Sequence, residues 1–130
     1  MLLANKITAA RLADMLIRGD DFPVVFRIVK NSGARIHVLR DENTAIDHQR
    51  RRASANGDIR YVRIRIGRDV ANGVLMKAGR LAAKLTSHDP VNIVLEDGTT
   101  FLLGDDAKVE IENSIRGLVL VVTATDTKDG

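Results

Sequence analysis

The fold is decided by residues 58–67, which read DIRYVRIRIG. Apolar and polar side chains alternate along this stretch, which is the period of a strand with two different faces. The apolar face holds Val62, Ile64 and Ile66, and the polar face holds Tyr61, Arg63 and Arg65. The pattern predicts a strand whose aliphatic face lies on a core and whose arginine face meets solvent or a partner.

A segment with helical spacing follows this strand. Apolar residues recur at intervals of three and four, and they are Val70, Val74, Leu75, Ala78, Leu81, Ala82 and Leu85. This stripe predicts a helix packed on the sheet, with Asp69 as a candidate N-cap and Pro90 soon after its end. Gly73 and Gly79 fall inside it, which predicts either a close approach to the sheet or a weak helix.

The segment before the strand, residues 41–57, lacks any useful periodicity. It contains the most basic run of the chain, HQRRR at residues 48–52. A long connection between two strands that pair with each other would project from the domain. We therefore expect a basic loop or arm at 41–57.

The other elements follow from alternation and turn chemistry. Residues 5–18 predict a short amphipathic helix, with Asn5 or Thr8 as the cap and Leu12, Met15 and Leu16 as its apolar stripe. Strands are predicted at 24–29, 34–40, 91–95, 100–103, 108–112 and 118–123, the last buried on both faces or placed at an oligomer contact. The Asp97-Gly98 pair is the strongest hairpin signal in the chain.

These elements define the expected fold class. We expect a single α+β domain over 1–130, a mostly antiparallel β-sandwich or small barrel of about seven strands. One central helix packs against it, and a short N-terminal helix precedes it. Short turns between consecutive strands favour antiparallel pairing.

Composition limits the classes of function. Aromatic residues make up 3% of the chain, so the core must be aliphatic, and the absence of cysteine excludes disulfides and thiolate metal sites. Apolar runs are too short for a membrane span, so no membrane partner is expected. We expect a cytoplasmic protein, or a virion protein if the source is viral.

The charge distribution is asymmetric. Residues 48–68 carry seven arginines and one aspartate, a net charge of +6, whereas residues 89–130 carry nine acids and three bases, a net charge of −6. Either the two regions face each other within one fold, or a basic patch of one copy docks on an acidic patch of the next. A head-to-tail contact of the second kind builds rings or tubes.

The sequence offers no pattern for an active site. His37, His48 and His88 have no metal-ligand spacing with one another or with acids, and phosphate-loop and nucleophile-elbow motifs are absent. The carboxylates at 105–106 and at Glu110 and Glu112 are typical of turns and strand surfaces. We expect a protein that is not an enzyme, with no catalytic residue, cofactor or metal.

Two classes of function fit the basic region. Its candidate contact residues, for another protein copy or for nucleic acid, are Arg50, Arg51, Arg52, Arg60, Tyr61, Arg63, Arg65 and Arg68. Nucleic-acid binding would use their charge and Tyr61 as a stacking ring, but other aromatic residues are scarce. Self-association explains the charge asymmetry, the arm and the missing active site together.

The favoured hypothesis is therefore a structural protein that self-associates into a shell, ring or tube. In it, Arg50, Arg51 and Arg52 of one copy meet an acidic counter-surface, Glu110 and Glu112, of another. Tail, connector and capsid-decoration proteins of phage virions are one such class by fold-level analogy, and other assembly proteins would then be partners. Nucleic-acid binding through 48–68 is the alternative.

Overall fold

A computed structural model describes residues 6–40, 44–53, 57–68, 75–115 and 117–126. These residues form two α-helices, a single 3-10 turn and eight strands. The helices are α1 (Ala9–Leu16) and α2 (Ala78–Ala82), and the 3-10 turn is Ile17–Gly19. The strands are β1 (Val24–Lys30), β2 (Gly33–Leu39), β3 (Ile46–Ala53), β4 (Gly57–Arg68), β5 (Val91–Val94), β6 (Thr100–Leu102), β7 (Lys108–Ser114) and β8 (Gly117–Thr125).

Strand β4 is the centre of the sheet. It pairs antiparallel with β3 along residues 57–64, antiparallel with β2 at 66–68 and parallel with β5 at 62–65. Val62, Ile64 and Ile66 are buried, whereas Tyr61 and Arg63 on the other face are half-buried. The predicted strand and its two faces are confirmed.

The strands form one mixed sheet in the order β6-β5-β4-β2-β1-β8-β7, with β3 attached to β4. The α+β class is confirmed. The finer description as a sandwich or barrel of about seven strands is not, because the described strands number eight and their order is open. Two pairings, β1 with β8 and β4 with β5, are parallel, which the short turns between neighbours could not predict.

The main core lies on one face of the sheet. Both helices contribute to it, through Leu12 and Leu16 of α1 and Leu81 of α2, and Phe26 is its largest fully buried side chain. The opposite face carries a second cluster, which consists of Val25, Val38, Val119 and Val121 with Ile36 and Leu75 packed against it. Residues 119–122 of β8 are therefore buried on both faces, as the sequence predicts, while Leu118 is half exposed.

Helix α1 confirms the N-terminal prediction. The Thr8 side chain is its cap, because the backbone N–H of Arg11 donates to Oγ1 of Thr8 at 3.2 Å. Leu12 and Leu16 are buried and Met15 packs against the core. Asn5, the other candidate cap, lies outside the described residues.

The central helix is much shorter than its apolar stripe predicts. Helix α2 has five residues and begins after Lys77, which occupies the N-cap position. The backbone carbonyl of Met76 accepts from the N–H of Val24 at 2.9 Å, so this residue lies along the start of β1 and cannot be helical. The prediction is therefore wrong for 75–77. Residues 69–74, which include Asp69, Val70, Gly73 and Val74, lie outside the described part.

Packing explains why residue 79 is a glycine, although the contact is not with the sheet. Its N–H donates to the carbonyl oxygen of Asp20 at 3.0 Å, and a Cβ at this position would overlap the side chain of Asp20. The absence of a side chain lets α2 approach the turn after α1. The close approach to the sheet predicted for Gly79 is therefore wrong in its partner, because the contact is Asp20.

The basic segment is the main error of the sequence interpretation. The predicted loop at 41–57 is wrong for Ile46–Ala53, because these residues form β3 and pair in continuous register with β4. Residues 41–43 and 54–56 lie outside the described part. The basic region is thus a β-hairpin.

Candidate interaction surface

The outer half of the β3–β4 hairpin is a two-stranded ribbon. β4 meets β5 from Val62 onward and β2 from Ile66 onward, so residues 57–61 pair with β3 alone among the described strands. Among the described strands β3 pairs with β4 alone, and β3 carries the basic run. We call residues 49–53 and 57–61 the basic ribbon.

Two arginines lie directly opposite each other on this ribbon. Arg50 pairs in register with Arg60, and both are exposed. Like charges in directly opposed positions destabilise a sheet, so this site favours a nearby anionic group. Arg51 and Arg52 belong to β3 by their backbone pairing with Ile59 and Asp58, but their side chains lie outside the described part.

Asp47 holds two of the predicted contact arginines. Its carboxylate accepts two hydrogen bonds from Arg63, at 2.6 Å from Nε and 2.8 Å from Nη2, and one from Nη2 of Arg65 at 2.8 Å. Partial burial of Asp47 opposes its ionisation, but the hydrogen bonds and charges of the two arginines outweigh it and lower the pKa of this carboxyl. The arginine face of β4 is therefore partly neutralised within the chain.

Arg63 and Arg65 use this carboxylate differently. Arg63 makes a bidentate contact, which is the strong geometry for a guanidinium. Arg65 contributes one hydrogen bond, and its buried Nε has no hydrogen-bond partner within the described residues. An unpaired buried donor costs free energy, so the two arginines contribute unequally to stability.

Arg68 is separated from the ribbon at the far end of β4. Its Nε lies 3.3 Å from Oε1 of Glu96, and its backbone N–H donates to Oε2 of the same residue at 3.2 Å. This ion pair joins the basic and acidic regions of the chain internally. The structure thus places Arg50 and Arg60 on one face of the ribbon and Tyr61 on the other, and it pairs Arg63, Arg65 and Arg68 with carboxylates.

The acidic counter-surface lies on β7, and its two members differ. Glu112 accepts two hydrogen bonds from Arg27, at 2.7 Å and 2.9 Å, which lower the pKa of Glu112 and raise the pKa of Arg27. Glu110 lies on the same face of β7, two residues away, and is exposed. Glu110 is therefore the more accessible acid of the two.

Strand β7 also has a free edge. Within the described residues it pairs with β8 alone, over its full length from Lys108 to Ser114. Ile111 is 46% exposed and Leu118 49%, and Ile115 at the hairpin tip is fully exposed. Large apolar side chains beside an unpaired edge are typical of a site for another chain.

Sequence reasoning missed Asp47 and this apolar tip. Asp47 could have been found if 46–53 had been interpreted as a strand antiparallel to 57–64, since that register places it opposite Arg63. The exposure of Ile111 and Ile115 could not be predicted from the sequence. An alternating pattern assigns apolar residues to a core and does not show which of them stay exposed.

Comparison with known proteins gives no relative: no family model, curated protein or solved structure matches this chain. No helix in the described part is long and apolar enough to cross a membrane. Over the same residues, no group of three or more histidine, cysteine or acidic side chains is placed to hold a metal ion.

Proposed function

We propose that this protein is a non-enzymatic assembly protein that self-associates through the edges of its sheet. The β3 edge of one copy pairs with the β7 edge of the next, so that the basic run meets Glu110 and Glu112. One observation carries the proposal: two free edges of opposite charge lie at separate places on the same sheet.

The sequences of the two edges are complementary in both orientations. Antiparallel pairing with Arg50 opposite Glu112 also places Arg52 opposite Glu110. Parallel pairing with Arg50 opposite Glu110 places Arg52 opposite Glu112. Either arrangement forms two cross-strand pairs of opposite charge, which stabilise a sheet.

Pairing of β7 with its own copy is disfavoured in three registers. An antiparallel pair centred on Glu110, Ile111 or Glu112 places two glutamates directly opposite each other. The proposed contact between β3 and β7 is heterologous, since it joins two different surfaces, and such contacts generate rings when the rotation closes and tubes or filaments when it does not. Shell, tail, connector and capsid-decoration proteins of virions are the class of assembly we propose.

The exposed apolar side chains beside β7 can supply free energy of association that charge pairs alone do not. Exposed ion pairs contribute little net free energy, whereas burial of large aliphatic side chains contributes roughly 1.5 to 3 kcal/mol each. Ile111 lies on β7 and Ile115 in the turn that follows it, and an added strand at this edge would bury them. Their exposure supports a protein partner for β7.

Nucleic-acid binding, the alternative, has less support. Arg63 and Arg65 are engaged by Asp47, and Arg68 by Glu96, so three of the seven arginines in the proposed footprint already have carboxylate partners. Phosphate binding depends on cations that are free to displace counterions. The unpaired edge of β7 has no role in that function.

The test is the oligomeric state of the Arg50→Ala, Arg51→Ala, Arg52→Ala triple variant. Light scattering after size exclusion, at low and high salt, gives the mass, and absorbance at 260 and 280 nm reports bound nucleic acid. We expect the wild-type protein to form a large species without nucleic acid that dissociates at high salt, because its contact is partly electrostatic. The triple variant should stay a folded monomer.

A matched variant distinguishes the loss of the basic β3 edge from a general loss of positive charge. Arg11→Ala, Arg18→Ala, Lys84→Ala removes three exposed cations elsewhere on the molecule and should assemble like the wild type. An oligomer of unchanged mass in the Arg50–Arg52 variant contradicts the proposal. A wild-type monomer that carries nucleic acid and releases it at high salt supports the alternative.

A further inference from the structure

A polar cleft lies at the opposite end of β4 from the ribbon. It is about 580 Å³ in volume and opens between the β1–β2 turn and the β5–β6 turn. Its walls carry charged and small residues, namely Lys30, Ser32, Gly33, Arg35, His37, Arg68, Glu96 and Asp97. This volume is in the range of small-molecule sites.

His37 lies in this cleft and is 6% exposed. Its Nδ1 lies 3.3 Å from the carbonyl oxygen of Arg35. With the proton on Nδ1, the ring donates to that carbonyl and Nε2 is left as the second hydrogen-bonding atom. Burial lowers the pKa of His37, which favours the neutral form of the ring.

The cations around His37 come from three strands. Lys30 belongs to β1, Arg35 to β2 and Arg68 to β4, and Lys30 lies 4.0 Å from the buried carboxylate of Asp126. Arg35 is exposed at the edge of the cleft. These side chains surround the cleft with guanidinium and ammonium donors, which are the groups that bind oxyanions.

Both lining acids have partners, Glu96 on β4 and Asp97 within its own turn. Glu96 accepts from Arg68, and Oδ1 of Asp97 accepts from the backbone N–H of Thr99 at 2.9 Å. Hydrogen bonding within its own turn lowers the pKa of Asp97. Of the lining cations, Arg35 has no carboxylate partner among the described residues, and Lys30 has a single long contact, 4.0 Å, with Asp126.

We propose that this cleft binds a small oxyanionic ligand, which carries a phosphate or carboxylate group. Lys30 and Arg35 neutralise its charge, and His37 contacts it from within the cleft. The site is separate from the assembly edges, because its described lining includes no residue of the basic ribbon or of β7.

The experiment follows the imidazole resonances of the full-length protein by NMR during titration with sodium phosphate or sodium citrate. Sodium chloride at matched ionic strength is the reference. His88 is exposed and lies outside the cleft and the basic run, so it serves as the internal control. We expect saturable shifts at His37 with at least one of the two oxyanions, and a rise in the pKa of His37 of about one unit, because a nearby anion stabilises the imidazolium.

Variants locate the site. Lys30→Gln and Arg35→Gln should each weaken the apparent affinity at least fivefold, whereas Lys84→Gln, an exposed cation after α2, should not change it. Shifts of equal size at His37 and His88 overturn the proposal, as does a linear response with both oxyanions. Unchanged affinity in both cleft variants overturns it as well.

Discussion

At the scale of single residues, Asp47 determines what the arginine face of β4 can do. Its two oxygens accept three hydrogen bonds from two guanidinium groups, so this face is a partly neutralised network. Arg63, the bidentate partner, and Arg65, whose Nε is unsatisfied, should therefore differ in their contribution to stability.

Replacement of each arginine by lysine tests this difference. Arg63→Lys removes the bidentate contact and should lower the free energy of unfolding by about 1 to 2 kcal/mol. Arg65→Lys keeps the charge and eliminates the unpaired donor, so its cost should be below about 0.5 kcal/mol. Urea unfolding of both variants gives the comparison, and equal losses would contradict the assigned geometry.

The same network should make the free energy of unfolding depend on pH in the acid range. Because the pKa of Asp47 is lowered in the folded state, its contribution is present above the unfolded pKa of about 3.9 and is lost as the pH falls through the folded value. Asp47→Asn should therefore be less stable than the wild type at pH 7 and should lose less stability between pH 7 and pH 3. Asp14→Asn, on the exposed face of α1, is the control and should keep the wild-type pH dependence.

At the scale of elements, the junction between α2 and the turn after α1 depends on Gly79. Intrinsic helix propensity favours alanine over glycine by about 1 kcal/mol. However, a Cβ at Gly79 would overlap Asp20, and overpacking costs about 1 to 3 kcal/mol. We expect Gly79→Ala to lower the thermal midpoint.

A second glycine provides the control for this prediction. A Cβ at Gly67 in β4 would approach Cγ of Arg40 at 3.3 Å, and Arg40 is a flexible, exposed side chain that can move. Gly67→Ala should therefore be tolerated better than Gly79→Ala. A stabilised Gly79→Ala protein would show that propensity outweighs the contact with Asp20.

The elements that sequence predicted correctly are those with local signals. Alternation and turn chemistry located β1, β2 and the β5–β6 hairpin, where Gly33 and Gly98 have positive φ values. β3 was missed because its sequence holds three consecutive arginines and shows no alternation, and only its pairing with β4 identifies it as a strand. The parallel contact of β1 with β8 joins distant parts of the chain and has no local signal.

The central helix was overpredicted for a related reason. The spacing of Leu75, Ala78, Leu81 and Leu85 fits one helical face, yet Leu75 belongs to the second cluster and the other three to the main core. One stripe in the sequence therefore serves both faces of the sheet. Tertiary pairing at Pro23 and Lys77 sets where the helix begins.

At the scale of the whole molecule, the strand order separates the charges. β2, β1 and β8 lie between β4, which carries the basic hairpin, and β7, which carries Glu110 and Glu112. The ion pair of Arg68 with Glu96 is one internal contact between the basic and acidic regions, but the ribbon and β7 lie on different parts of the sheet. This separation favours the intermolecular explanation of the charge asymmetry over the internal one.

A charge exchange between the two edges provides the strictest test of head-to-tail pairing. In one variant Arg50, Arg51 and Arg52 become glutamate, and in the other Glu110 and Glu112 become arginine. The second variant also loses the ion pair of Glu112 with Arg27, so its fold is checked before its assembly. Each variant alone opposes like charges across its contact and should stay monomeric in light scattering, provided that circular dichroism shows a wild-type fold.

Mixing the two variants should restore assembly. The acidic β3 edge of the first then meets the altered β7 edge of the second, and the native β7 edge of the first meets the native β3 edge of the second. Both new contacts are complementary, so the species should contain the variants in alternation and in equal amounts. A mixture that remains monomeric contradicts the pairing of β3 with β7. If either variant assembles alone, the contact joins two identical surfaces. Such a contact would not require the charges of β3 and β7 to be complementary.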